Sequence, residues 1–233
     1  MQSFACAFGK DGAAIKITGA IFDLDGTLLD SMFIWDNVGE QYLLSLGIRS
    51  KKNINEILKN MSLAQGAAYI QRAYGVEKTR EEIMAGVNAI VEHFYTAEVQ
   101  LKDGAAEFVR YLAENGVKMC IATATDEYLV EAALDRLGIR KYFSDIFTCN
   151  GVGHGKDEPH IYEAACRRLG TSKENTLVFE DAIYAIQTAK AAGFPVAGVC
   201  DAAEENQEKM QMICDFYITD FTRAREIVSK IRI

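Results

Sequence analysis

Several absences narrow what this chain can be. No apolar run reaches the roughly 20 residues that a helix needs to cross a bilayer, so no membrane partner is expected. Positive charge is not in surplus either: the formal net charge is -8 over 233 residues. A surface of that sign does not coat a nucleic acid, so none is expected as a partner. The six cysteines (Cys6, Cys120, Cys149, Cys166, Cys200 and Cys214) form no CxxC pair and share no regular spacing. Cys120 and Cys200 lie in apolar, strand-like runs. The expectation is reduced, mostly buried thiols in a cytoplasmic protein, with neither disulfides nor zinc. No His or Cys cluster points to a soft metal. The opening MQSFACAFGKDGAAIKI lacks a basic stretch followed by an apolar one, so it reads as a loose extension and not as a secretory signal. No internal repeat or low-complexity segment is present.

What remains is a composition of 49% hydrophobic and 25% charged residues, typical of a globular protein, at a length suited to one large domain or two modest ones. The chain has two grammars. Residues 31–100 read as four helices in succession: Asp36–Leu46 with Val38, Tyr42, Leu43 and Leu46 on one face, Asn53–Met61, Leu63–Tyr74, and Thr79–Glu98 with a capping-box pair at Thr79 and Glu82. Before and after them strands alternate with helices. Strands are expected at Ala20–Leu24, Val117–Ala122, Ile146–Cys149, Thr176–Phe179, Pro195–Cys200 and Phe216–Ile218. Helices are expected at 104–114, 126–137, 159–169, 182–192, 204–212 and 221–231. The fold class is therefore α/β: a Rossmann-like parallel sheet with helices on both faces, formed by residues 1–30 and 101–233, with an inserted all-α cap of four helices at 31–100. The hinges of that cap are expected at Leu29–Asp30 and at Gln100–Gly104.

In such a sheet ligands sit beyond the carboxyl ends of the strands. The first strand ends in Asp23-Leu24-Asp25-Gly26-Thr27. Taken alone, Asp-x-Asp-Gly is as well explained by a solvated turn. The other strand ends decide the matter. Thr123-Ala124-Thr125 follows one, the loop with Lys156 follows another, and Glu180-Asp181 follows a third. Each has an ordinary explanation as a helix cap or a surface charge, but several at neighbouring strand ends make a constellation.

Its chemistry is that of phosphoryl transfer. Asp23 and Asp181, with the Asp25 carbonyl, offer hard oxygens of the kind Mg²⁺ takes. Asp23 is the candidate nucleophile, since a carboxylate can accept a phosphoryl group and split one hard step into two. Asp25 can give a proton to the leaving oxygen and later take one from water. N–H groups of the turn at Leu24, Gly26 and Thr27, with Thr123, Ala124 and Lys156, can hold the phosphoryl oxygens.

These residues resemble the haloacid dehalogenase superfamily of phosphohydrolases. The resemblance rests on DLDGT at Asp23–Thr27, IATAT around Thr123, GKDEPHIYEAA around Lys156 and FEDAIYAIQTAKAAG from Phe179. It implies Asp23 as nucleophile, Asp25 as general acid/base, Thr123 and Lys156 as phosphoryl anchors, and Asp23, Asp25 and Asp181 as Mg²⁺ ligands. Glu180 would bind the metal through water or support it. Three departures from the family pattern stand out: Asp157 replaces a proline after the lysine, Ala185 replaces a glycine, and Trp35 stands where the beta-phosphoglucomutase branch has a substrate-contacting histidine. Trp35 is either over the substrate or packed inside the cap. The implied activity is hydrolysis of a small phosphate monoester such as a sugar phosphate; a phosphomutase using the same aspartyl nucleophile is the alternative. The expected partner is a small phosphorylated metabolite, and the expected state a monomer or weak dimer. Arg49, Lys51 and Lys52 read as a solvated basic run, His93 as ordinary, and His154 and His160 as neighbours of Lys156 without a specific role.

Overall fold

A computed structural model describes residues 16–51, 53–58 and 61–223. Its centre is a sheet of six parallel strands: β1 (Gly19–Phe22), β4 (Lys118–Thr123), β5 (Asp145–Thr148), β6 (Thr176–Glu180), β7 (Val196–Val199) and β8 (Phe216–Ile218), in the order β5-β4-β1-β6-β7-β8. Every residue of β1, β6 and β7 is buried, which explains why these strands read as continuous apolar runs: both faces are covered. Phe22, Phe108, Leu129, Ala133 and Phe179 fill one face, beneath helices 105–114 and 127–136. Ile21, Ile161, Tyr162, Val178 and Ile186 fill the other, beneath helices 160–169 and 183–191. Strand geometry makes the division, since successive side chains point to opposite faces. Phe22 stacks on Phe179 at 4.2 Å between ring centroids and meets Phe108 and Phe143 edge-on, so an aromatic cluster lies directly under the end of β1.

The chain departs to one side of β1 for β4 and β5, and to the other for β6, β7 and β8. The carboxyl end of β1 is thus the switch point of the sheet, where a parallel α/β fold leaves a crevice. Two expected strand ends are longer than read from sequence. Thr123 pairs with Thr148, and Glu180 with Gly198, so each is the last residue of its strand and not the first beyond it. Cys149 is the reverse case: it opens a short helix, Cys149–Val152, capped by the Thr148 hydroxyl accepting from Gly151 N–H at 2.9 Å. The described cysteines are free thiols, with Cys120, Cys149 and Cys166 buried; Cys6 lies outside the described residues, as does most of the expected helix 221–231.

Between β2 (Leu29–Asp30) and β3 (Gln100–Leu101) the chain is helical: Met32–Trp35, Val38–Ser45, Ile54–Leu58, Leu63–Tyr74 and Arg80–His93. The expected first helix differs from the observed one. A helical turn at Met32–Trp35 comes before it, and Asn37 breaks the path with φ of -130°. The capping box of Thr79 and Glu82 is formed, and a second one joins Ser62 and Gln65. The last helix does not run straight to Glu98. At Phe94 it widens into a π turn, Phe94–Glu98, a feature common at functional positions. The two expected hinges are paired with each other: Leu29 opposes Leu101 and Asp30 opposes Gln100 in an antiparallel ribbon. Mutual backbone pairing satisfies donors and acceptors that two separate loops would leave to water.

Candidate functional site

Asp23 stands at the first position past β1, its N–H donating to the Phe179 carbonyl at 2.9 Å, which keeps it level with the end of β6. Its carboxylate receives Lys156 Nζ at 2.5 Å, and the same ammonium donates to Glu180 Oε1 at 2.6 Å. Tyr162 Oη donates to that same Glu180 oxygen at 2.8 Å. Asp181 completes the group, its Oδ1 accepting from the Thr27 hydroxyl at 2.9 Å. The turn can press this closely because residue 26 is glycine: φ is +76°, and a Cβ there would overlap the Asp181 carboxylate.

Three buried carboxylates therefore stand near one ammonium, which pairs with two of them. Burial drives the Asp23 pKa up to about 6, opposed by Lys156 and reinforced by Glu180. Burial also pushes Asp181 well above the usual carboxylate range, with Asp23 and Glu180 adding to it. Lys156 is held charged: burial disfavours its ammonium, but Asp23 and Glu180 outweigh that cost.

Asp25 lies in different surroundings. Its Oδ1 accepts from Ser31 Oγ at 2.6 Å and from Tyr95 Oη at 2.5 Å, and its Oδ2 from Thr125 Oγ1 at 2.6 Å. No cation touches it among these contacts. Burial raises its pKa, and the three hydroxyl donors pull against that rise. Ser31 and Tyr95 come from the two ends of the helical insertion and Thr125 from the sheet edge. Tyr95 is in turn the acceptor for Trp35 Nε1 at 2.9 Å, so a chain of hydrogen bonds runs from Trp35 through Tyr95 to Asp25.

Residues 17–193 match the family model described as a haloacid dehalogenase-like hydrolase. The chain belongs to this family. Hexitol phosphatase B of Escherichia coli is 24% identical over 211 residues, covering 89% of this chain and 94% of its own. Fructose-1-phosphate phosphatase YqaB of the same species is 28% identical over 194 residues, covering 79% and 97%. A haloacid dehalogenase hydrolase of family IA, variant 3, from Entamoeba histolytica shares the fold with a TM-score of 0.77 at 22% identity, covering 93% of this chain and 100% of its own. The chain thus groups with the phosphatases of the haloacid dehalogenase-like hydrolases.

Within this haloacid dehalogenase-like frame, Asp23, Lys156, Glu180 and Asp181 come together as the sequence reading expects. Thr123 adjoins them from the end of β4; its hydroxyl oxygen accepts from Thr125 N–H at 3.1 Å, which leaves its O–H able to donate. Ala124 lines a cavity of about 200 Å³ between the loop 149–158 and Ser62–Gln65 of the insertion. Leu24 supplies a backbone hydrogen bond to the Asp23 carboxylate. Two of the turn residues expected to hold phosphate make other contacts in this structure. Gly26 N–H is spent on the Leu29 carbonyl at 3.0 Å, closing the turn, and the Thr27 hydroxyl is spent on Asp181. Trp35 packs edge-on against Tyr95 and serves it as a donor. Of the basic run, Lys51 is engaged with the Ala73 carbonyl and the Tyr74 ring, and Lys52 lies outside the described residues.

The donor set suits a small divalent cation. The acidic oxygens of Asp23, Glu180 and Asp181 lie within 4.8 Å of one another, and Glu180 Oε2 is buried without a hydrogen-bond partner. An orphaned buried carboxylate oxygen beside two further acids is costly unless a cation or water meets it. The Asp25 carboxylate is outside this cluster, so any contribution from Asp25 to a metal falls to its backbone carbonyl. Tyr95 and Tyr162 were not read from sequence, and Thr125 was named only within the segment after its strand, without a role. The role of Thr125 could have been found, two residues past Thr123; Tyr95 is 70 residues from Asp25 and carries no local signal.

Proposed function

We propose that this haloacid dehalogenase-like hydrolase cleaves small phosphate monoesters, sugar phosphates first among them, through a phosphoryl group carried transiently on Asp23. The observation that carries this reading is the contrast between two carboxylates two residues apart: Asp23 is paired with an ammonium, and Asp25 is held only by hydroxyls. An Asp23 oxygen attacks phosphorus, and the bond from phosphorus to the ester oxygen breaks. Asp25, whose raised pKa favours keeping a proton, gives it to the departing oxygen. Asp25 then takes a proton from water, whose oxygen attacks phosphorus and releases orthophosphate and free Asp23. Lys156 and the Thr123 hydroxyl hold the oxygens of the transferring group. Asp23 and Asp181 would hold Mg²⁺, with Glu180 and the Asp25 carbonyl in support; the cation supplies positive charge against the phosphoryl oxygens.

The helical insertion acts as a cap in this reading. Ser31 and Tyr95 bring its two ends onto Asp25, so closure sets the orientation of the proton donor. The cavity between Ser62–Gln65 and the Lys156 loop would take the leaving group, and its half-polar lining suits a hydroxylated one. The names of the relatives, hexitol and fructose-1-phosphate phosphatases, favour the same substrate class.

The test is orthophosphate release from a panel of hexose, hexitol and pentose phosphates, nucleotides and phosphoglycolate, with Mg²⁺ and after chelation. Mg²⁺-dependent release with preference for a sugar or sugar-alcohol phosphate is expected. Isomerised hexose phosphate without net orthophosphate would replace this reading with a phosphomutase.

A further inference from the structure

The loop that carries Lys156 presents a second convergence of ligating groups, two of which, His154 and Glu158, also line the cavity facing Ser62–Gln65. His154 Nδ1 lies 3.2 Å from Glu158 Oε2, and His160 Nε2 lies 3.0 Å from the same oxygen. The two imidazole rings adjoin, tilted by 42° with centroids 4.1 Å apart. All three ligand atoms lie within 4.8 Å of one another. From sequence these histidines read only as neighbours of Lys156 without a specific role. The loop brings them together.

We propose that His154, Glu158 and His160 form a binding site for a borderline transition-metal ion, with Zn²⁺ as its best-suited occupant. Two imidazoles and one carboxylate favour Zn²⁺ and its neighbours over Mg²⁺ or Ca²⁺, which take oxygen ligands. Zn²⁺ sits about 2.0–2.1 Å from nitrogen and oxygen in a tetrahedron, so its ligand atoms stand about 3.3 Å apart. The spacings of 3.0 and 3.2 Å nearly match two edges of that tetrahedron. The side chains are 44%, 52% and 47% exposed, which leaves room for water to complete the coordination. Binding needs no net loss of protons from neutral rings. Each shifts its N–H to the nitrogen facing away and offers the freed lone pair. The ordinary alternative is a surface cluster of hydrogen bonds, contributing little to stability.

The position gives the site its interest. His154 and Glu158 lie two residues on either side of Lys156, which reaches Asp23 from the same loop. A metal there would clip together the two ends of the segment that aims Lys156, while remaining separate from the buried acids Asp23, Glu180 and Asp181. The proposal stands apart from the catalytic reading, because metal binding is measured without turnover.

The experiment is equilibrium dialysis of the full chain against micromolar Zn²⁺ in excess Mg²⁺, with bound zinc counted for wild type, His160→Ala and Glu158→Gln. Excess Mg²⁺ competes at the acidic cluster, and any zinc bound there is common to all three proteins. Wild type is expected to bind one zinc per chain more than either variant, and its melting temperature to rise with Zn²⁺ where those of the variants do not. Equal zinc stoichiometry in all three proteins, each folded by circular dichroism, overturns the proposal.

Discussion

The sheet edge and the helical insertion contribute to one site in opposite currencies. The sheet edge supplies charge: Asp23, Glu180 and Asp181 arrive on or just after neighbouring strands, and Lys156 enters among them from the loop after β5. The insertion supplies neutral hydroxyls: Ser31 and Tyr95 meet Asp25, and Trp35 supports Tyr95. A charged group of like sign needs rigid support, because its members repel, and parallel strands provide it. A hydroxyl contact can form and break at small cost, which suits an element that opens to admit a substrate. The difference suggests a division of work. Under the proposed mechanism, the sheet would hold the nucleophile and the metal ligands ready, and the insertion, when closed, would set the proton donor.

The largest expected effect lies on the sheet side. Asp23→Asn keeps the shape and removes the nucleophile, so turnover of any phosphate ester should fall by at least about a thousand-fold. Steady-state kinetics on an aryl phosphate checks this, and a fall of ten-fold or less would move the nucleophile elsewhere. Lys156→Met comes next. Removing one member of a buried ion pair costs about 3–5 kcal/mol, so the metal-free protein should lose stability of that order in urea. Saturating Mg²⁺ should restore part of it, since the cation replaces the missing charge. No recovery with Mg²⁺ would detach the cation from the acidic cluster.

A pH effect tests the sheet side. The Asp23 pKa is raised from 3.8 to about 6, so its folded state binds more protons than the unfolded chain between those values. Its contribution to stability is fully present below 3.8 and is lost as pH rises through about 6. In metal-free protein the melting temperature should therefore carry a downward contribution across that window, removed in Asp23→Asn. Mg²⁺ should raise the melting temperature more at pH 7 than at pH 5, because it must displace those protons. The smallest expected effects lie on the insertion side. Tyr95→Phe deletes a hydrogen bond to a carboxylate, worth about 1.5–3 kcal/mol, and should lower kcat about ten-fold or more with Mg²⁺ affinity unchanged. Trp35→Phe, one bond further out, should lower kcat by roughly two- to five-fold. A larger effect of either on KM than on kcat would place that side chain on the substrate instead of on Asp25.

The same division governs what could be read from sequence. The central strands β1, β4, β6 and β7 were legible because burial on both faces makes each an apolar run followed by polar groups. Asp23, Lys156, Glu180 and Asp181 were found for that reason: each belongs to a strand end or the loop beyond one, and the parallel arrangement brings strand ends to one edge. Tyr95 was not legible. Its hydroxyl reaches Asp25 because the helix widens at Phe94, and nothing in EHFYTAE announces a π turn. The pairing of Leu29–Asp30 with Gln100–Leu101 was missed because two-residue strands carry no periodicity. The spent donors at Gly26 and Thr27 depend on where the turn folds back, and composition does not report that.

The central claim, that Asp23 carries the phosphoryl group while Asp25 moves the proton, meets its most direct test in Asp25→Asn. An aryl phosphate has a leaving group that needs no proton, so the first step should still proceed while the water step stalls. Rapid acid quench followed by peptide mass spectrometry should then find one phosphoryl group on the peptide containing Asp23, accumulating in Asp25→Asn above the wild-type level. A peptide without that mass at every quench time, or a phosphoryl group on another residue, would contradict the account.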